Sequence, residues 1–492
     1  MTTKDYLNRI DEVIANGKYK ADWSSLAHHK VPDWYMHDKL GIFIHWGIYS
    51  VPAFGNEWYP RGMHDPNVRE YKHHIETYGE HKDFGYKDFI PMFKAEKFDA
   101  EQWISLFKKA GIKYVMPVAE HHDGFAMYET EFNRWNAKAM GPCRDIVKEL
   151  KEECEKQGLT LCASTHRAEH YFFLNLGRKI PGCDVNDEAY RDFYGPAVDC
   201  DDFGYDNLGI TTENPYTVGA SQEWLEDWLV RTCELIDKFQ PAVLYFDWWI
   251  HNHSFKPYLK KLAAYYYNRA EEWGKEVTIN YKHEAFPPTV ATFDVERGAL
   301  SGISPVYWQT DTAIGKHSWG YTKDNKYKSA RQVICDLVDI VSKNGNLLIN
   351  IGPKSDGIIT DEETEVLLTM GEWLQVNGEG IYGTTFWKQF GEGEVNAEEG
   401  FFKDGDEKAF TTKDFRFTYK DGFLYVFQMR PSETVEIKTL RKKEMRDYFI
   451  ENVSLLGSDE KIDFERTEEA LIIRRTSKPS NDLPQCFKLE IG

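Results

Sequence analysis

The chain has 492 residues, 80 acidic against 60 basic, and a formal net charge of −20 at pH 7. That balance argues against nucleic acid or an anionic membrane as partner, because either demands a basic footprint, and leaves a neutral or small substrate. The length exceeds one ordinary barrel and leaves room for a second domain of about 100 residues.

The first 20 residues are polar, helical in pattern and without the apolar core of a secretory signal, and no run reaches membrane-spanning length. A cytoplasmic chain is expected, or a secreted one if a signal was removed. A strand-like apolar run at 39–46 ends on His45 and Trp46, and a second at 114–125 ends on His121 and His122. The third, 159–166, runs through His166 into Arg167, Glu169 and His170. The fourth, VLYFD at 243–247, ends on Asp247 between aromatics. The remaining four are 277–283 followed by Glu284, 291–297 with Glu296, 306–312 with Asp311, and 346–352. Amphipathic helical patterns follow the strands, among them 98–111, 145–158, 221–239 and 329–345, several opening on Asp or Ser and closing on Gly.

Alternating strands and helices imply a parallel sheet with crossover helices. A doubly wound sheet gathers its site at one switch point, whereas here polar side chains sit at nearly every strand end. The predicted fold is a (β/α)8 TIM-like barrel, residues 1–386. Beyond Phe386 the helical period gives way to short alternating runs, with a hairpin signal at Asp421-Gly422 and further strands at 435–440 and 470–476. Residues 387–492 are therefore read as a C-terminal all-β sandwich that covers a barrel flank and carries no site of its own.

A carboxylate at the C-terminal end of a buried parallel strand suits a nucleophile, though the same residue also suits a helix cap. His121 and His122 are neighbours on a strand and face opposite sides unless the strand ends there, so no metal site is expected. Imidazoles and carboxylates around a barrel mouth suit a hydroxyl-rich ligand instead. Aromatics at 15% suit stacking on sugar rings. Eight cysteines are scattered singly without a CxxC pair and read as buried thiols in a reducing compartment.

The motifs FIHWG at 43–47, EWY at 57–59, EHHDGF at 120–125, YFDWW at 245–249, SWGY at 318–321, LLINIGP at 347–353 and IYGT at 381–384, in this order, resemble the α-L-fucosidases of glycoside hydrolase family 29. The resemblance covers the barrel and implies the sandwich behind it. It implies an exo-acting retaining fucosidase that hydrolyses terminal α-L-fucose from oligosaccharides or glycoconjugates by double displacement, without cofactor. Asp247 is then the nucleophile, and His45, Glu57, Trp58, His121 and His122 hold the sugar. Trp58 or Trp319 packs against its apolar face and C6 methyl.

Two positions depart from the family pattern. Where many relatives carry Trp-Glu ahead of SWGY, this chain has Trp308-Gln309, and Gln cannot cycle a proton. Glu296 is the leading general acid/base, with Asp311, Glu284 and Glu169 behind it. Where relatives often carry Tyr-Tyr-Ser after the third strand, residues 163–170 read ASTHRAEH, so that His166, Arg167 or Glu169 takes the place of a sugar-contacting Tyr. Two other readings stay open at this point: a glycosidase of the same fold acting on a fucose-like sugar such as L-galactose, and a fucose-binding pseudoenzyme. Linkage preference is assigned to loops such as 184–216, and a homo-oligomer is left open.

Overall fold

The computed structural model describes residues 1–199, 219–445 and 448–492. Residues 200–216 of the loop expected to set linkage preference lie outside the described residues, as does Cys200. The barrel strands are β1 (Leu40–Ile44), β2 (Tyr114–Glu120), β3 (Thr160–Leu161), β4 (Ala163–Thr165), β5 (Val243–Phe246), β6 (Thr278–Tyr281), β7 (Thr292–Asp294), β8 (Trp308–Ala313) and β9 (Gly345–Ile351). They pair in the order β1-β9-β8-β7-β6-β5-β4-β2, and β1 pairs back onto β2. Closure removes the edges, and β3 with β4 form one strand broken at Cys162, giving the eight-stranded parallel barrel expected. Residues such as Leu40, Ile42, Leu244 and Leu347 pack outward under helices, while Phe43, Tyr114, Met116, Tyr245 and Leu348 fill the interior. Burial on both faces is why these strands read as near-continuous apolar runs.

The helices used here are α1 (Thr3–Asn16), α2 (Ala100–Lys109), α3 (Ile146–Gln157), α4 (Gln222–Phe239), α5 (Lys256–Trp273), α6 (Ala330–Ser342) and α7 (Asp361–Asn377). Asp99, Asp145, Ser221 and Ser329 cap the starts of α2, α3, α4 and α6 by accepting a backbone N–H. Gly158 closes α3 in the left-handed conformation, but Gln240 rather than glycine closes α4. Helices do not follow every strand. Segments 282–291 after β6 and 295–307 after β7 contain none, and Pro287-Pro288 in the first and Pro305 in the second oppose helix formation. Beside these strands lies a largely apolar cavity of about 680 Å³ that includes Tyr281, Phe286, Phe293 and Trp308. Among the described residues no helix is long and apolar enough to cross a membrane.

The C-terminal part is antiparallel. A five-stranded sheet orders as β10 (Thr385–Glu392), β11 (Phe415–Lys420), β12 (Phe423–Gln428), β17 (Gln485–Ile491) and β14 (Ile450–Leu455). A three-stranded sheet holds β16 (Leu471–Arg474) between β13 (Thr434–Ile437) and β15 (Asp463–Arg466). Asp421 and Gly422, at φ 50° and 87°, make the two-residue turn between β11 and β12. Phe415, Phe417, Leu424, Val426, Leu471, Ile473 and Phe487 form its core.

Two features fasten this part to the barrel. Buried Arg416 of β11 pairs with Asp339 of α6, which also accepts from Lys343 at 2.9 Å. In addition, residues 400–404 run as a strap along the loop after β7. Gly400 and Ala299 exchange backbone hydrogen bonds, Phe402 N donates to Glu296 O at 3.0 Å, and Lys403 N donates to Arg297 O at 2.7 Å. Asp404 completes the strap by pairing with Lys328 at 2.5 Å and Arg297 at 3.3 Å.

Candidate active site

The C-terminal ends of the strands open onto a cavity of about 290 Å³. His45, Glu57, Trp58, His121, His122, Asp247, Glu296 and Trp319 all line it, so the structure brings every sequence-predicted site residue to one place. β5 stops at Phe246, which leaves Asp247 just past the strand with its carboxylate in the cavity.

Asp247 is held by cations and N–H donors. His166 Nδ1 lies 3.2 Å and His122 Nε2 3.4 Å from its Oδ2, and Lys282 Nζ lies 3.7 Å from its Oδ1. Burial pushes this carboxyl up, but His166, His122 and Lys282 outweigh it and hold the group well below the usual carboxylate range. His122 donates from Nδ1 to the His166 carbonyl at 2.9 Å. Although burial opposes its charge, the nearby carboxylates of Glu169 and Asp247 raise it to about 9, so it stays an imidazolium at neutral pH.

Glu296 presents the opposite case. Its carboxyl is buried and raised to about 7, first by desolvation, with the neighbouring charges of Asp247 and Asp311 pushing the same way and Lys282 pulling against them. Trp248 Nε1 donates to Glu296 Oε2, and Lys282 Nζ lies 2.6 Å from the same oxygen. Arg297 beside it turns away to Asp404 and to the carbonyls of Gly315 and Lys316. Lys282 thus faces four carboxylates, with Asp294 and Asp311 each 3.4 Å away. Because one ammonium reaches both Asp247 (3.7 Å) and Glu296 (2.6 Å), the two contacting oxygens cannot be farther apart than the sum of those distances, about 6.3 Å.

The remaining acid/base candidates separate by position. Asp311 lines the cavity and accepts from the Tyr245 hydroxyl at 2.7 Å. Glu284 is exposed and faces the apolar cavity beside β6 instead. Glu169 is buried behind His122, at 3.8 Å from its Nδ1, and is not part of the cavity wall. Gln309 also lies away from the cavity. It sits in the barrel interior, accepting from the Tyr35 hydroxyl at 2.6 Å and donating to Asp294 at 2.7 Å. Its side chain therefore does not stand where an acid would have to act. From the segment after the third strand only His166 enters the cavity; Arg167 turns outward to Glu120 and Asp227, at 2.8 and 2.7 Å.

On the far side, His45 Nδ1 pairs with Asn350 Oδ1 at 2.7 Å, which leaves Nε2 as an acceptor, and burial keeps the ring neutral. Glu57 accepts through Oε2 from Ser318 Oγ and Trp319 N, at 3.0 and 2.9 Å. Trp319 lies against His45, with ring centres 5.1 Å apart. Its loop crosses the end of β9 at Gly352, where a Cβ would come within 2.7 Å of the Gly320 and Tyr321 backbone. Only glycine fits so close a crossing.

Two sequence-based expectations are corrected here. His121 and His122 face the same cavity, because β2 ends at Glu120 and the alternation of a strand no longer applies to them. Two ligand-like triplets result among the described residues, His45-His121-His166 and His122-His166-Asp247, each with donor atoms within 4.8 Å of one another. A divalent ion in the second would occupy the groups that hold Asp247. The C-terminal part, expected only to cover a flank, also places Phe402 in the cavity wall. Lys282 and Phe402 escaped the sequence reading, and Trp248 entered it only as one of the aromatics beside Asp247; a lone Lys at a strand end and a Phe-Phe pair within a charged stretch were the available signals.

A family model described as alpha-L-fucosidase matches residues 7–379. The plasma alpha-L-fucosidase of Pongo abelii is 30% identical over 391 residues, spanning 75% of this chain and 74% of that one. The tissue alpha-L-fucosidase of Mus musculus is 31% identical over 379 residues, 76% of each. The crystal structure of the Thermotoga maritima alpha-fucosidase in complex with fucose superposes with a TM-score of 0.73 at 29% identity, over 96% of this chain and 100% of that one.

Proposed function

Since the chain belongs to the α-L-fucosidases of glycoside hydrolase family 29, we propose that it releases terminal α-L-fucose from oligosaccharides or glycoconjugates as an exo-acting, retaining enzyme. The observation that carries this reading is the shared Lys282. The two oxygens that share this cation are at most about 6.3 Å apart, a spacing compatible with the roughly 5–5.5 Å between the paired carboxyls of retaining enzymes. The two carboxyls are also tuned apart, Asp247 ionised and Glu296 protonated at neutral pH or just below.

In the first step Asp247 attacks the anomeric carbon as the glycosidic C–O bond breaks and Glu296 gives its proton to the departing oxygen. In the second, Glu296 takes a proton from water, the water oxygen attacks the same carbon, and the bond to Asp247 breaks. Stereochemistry is retained because the carbon inverts twice. His45, Glu57, His121 and His122 bind ring hydroxyls, and Trp58 or Trp319 packs on the apolar face. A cavity of about 290 Å³ is at the small end for ligand sites and suits one terminal sugar, which supports exo action.

The test is Asp247→Ala. It should fold normally and lose nearly all turnover of an aryl α-L-fucoside; azide, attacking the anomeric carbon in place of the missing carboxylate, should restore departure of an activated aryl group as its phenolate and leave a fucosyl azide. Substantial unaided activity in this variant would remove Asp247 from the role.

A further inference from the structure

The leaving group of a glycosidase must sit beside the acid that protonates it, on the solvent side of the glycone. Two aromatic surfaces occupy that position here. Trp248 is partly exposed, lines the cavity and donates from its indole to Glu296. Phe402 is 39% exposed and lines the same cavity, from a segment more than a hundred residues further along the chain. The rings of Trp248 and Phe402 lie near-parallel, 17° apart in plane with centres 6.3 Å apart, and Phe401 meets the indole at 5.3 Å. His283 adds a further ring at 5.2 Å from Trp248.

Phe402 is not a loop residue left outside by chance. Its φ is 57°, in the left-handed region that a bulky side chain rarely adopts. The conformation is imposed by hydrogen bonds on either side, Phe402 N to Glu296 O and Lys403 N to Arg297 O, and by Asp404 anchored on Lys328 and Arg297. Arg297 facing it is also at positive φ, 44°. A backbone distorted at both sides of a contact, with an apolar ring held out to solvent next to the acid, is the kind of outlier that marks a binding surface.

We propose that Trp248 and Phe402 form an aglycone subsite that stacks on the C–H face of the hexopyranose carrying the fucose, and that the C-terminal domain thereby takes part in substrate selection. The rings are too close together to clasp a sugar between them. Both line the cavity that Glu296 also lines, so a pyranose stacked on the ring face open to the cavity would lie next to that carboxyl. Stacking of this kind tolerates different hydroxyl patterns and rewards any sugar with an unbroken run of C–H groups on one face.

The inference rests on the oligosaccharide reading above, and the experiment separates the two. Values of kcat and KM are compared for a fucosylated disaccharide, which fills the subsite, and for α-L-fucosyl fluoride, which has no aglycone sugar. Phe402→Ala should lose at least tenfold more kcat/KM on the disaccharide than on the fluoride, chiefly through KM, and Phe402→Tyr should recover to within about threefold of the unmutated enzyme. Equal losses on the two substrates, no selective loss on the disaccharide, or a selective loss carried by kcat rather than KM, as a displaced Glu296 would give, would overturn the subsite and leave the oligosaccharide reading standing. If the unmutated enzyme turns over the fluoride and no fucosylated disaccharide, the oligosaccharide reading fails and the subsite with it.

Discussion

Lys282 Nζ stands 2.6 Å from the Glu296 carboxyl and 3.7 Å from that of Asp247, a single buried cation shared by the two carboxyls. Its charge lowers the proton affinity of both. In Lys282→Met both limbs of the kcat/KM profile should therefore move to higher pH, because Asp247 must ionise and Glu296 must keep its proton. The maximal rate should fall as well. A profile that keeps its position while the rate drops would limit Lys282 to a packing role.

For Glu296, raised to about 7, the protonated and competent acid is present below that pH and is lost as pH rises through it. The alkaline limb of kcat/KM should fall near pH 7, and Glu296→Ala should flatten it. The same variant should slow fucosyl-oligosaccharides by about 10²–10⁴, the usual share of general acid–base catalysis, and affect fucosyl fluoride far less. If instead Asp311→Asn shows that leaving-group dependence, the acid is Asp311.

Treatment with a chelator should leave turnover intact, since no step above uses a metal. Added Zn²⁺ should inhibit competitively with fucose, through the clustered donors of His122, His166 and Asp247. Inhibition by the chelator that added zinc reverses would overturn the metal-free mechanism.

Arg416→Ala should destabilise the fold by about 3–5 kcal/mol, the usual cost of breaking a buried ion pair. Here it leaves Asp339 with Lys343 alone at 2.9 Å and opens the contact between β11 and α6. Denaturant unfolding checks this. A loss under about 1 kcal/mol would mean that Lys343 suffices.

Replacing Gly352 by Ala should displace the Trp319 loop, because its Cβ would meet backbone atoms rather than a side chain able to swing away. Fucose affinity should drop by tenfold or more, read by calorimetry on folded protein. Unchanged affinity would show that the loop yields without cost to the sugar site.

The barrel was legible because each strand is buried on both faces and ends on a polar or aromatic side chain, a pattern local to a few residues. Asp247 and the histidines were readable for the same reason. Lys282 was not, since a lysine at the end of TINYKH looks like an ordinary solvent-facing cation until closure of the sheet surrounds it with Asp247, Asp294, Glu296 and Asp311. The orientation of His121 and His122 turned on where β2 stops, and strand ends are the least readable part of a pattern. The strap at 400–404 is paired with residues about a hundred positions earlier, a distance over which periodicity carries no information.

That strap also sets an order of maturation. Synthesis through β9 supplies every strand of the barrel, and with it the imidazoles and the Asp247 carboxylate that line the cavity. The hydrogen bonds that fix the Glu296 and Arg297 backbone come from residues made some fifty positions later. Because domains tend to fold as they emerge from the ribosome, the barrel strands would be available to pair before these backbone bonds can form. On the mechanism proposed above, the C-terminal part would then be the last piece to brace the backbone that carries the acid.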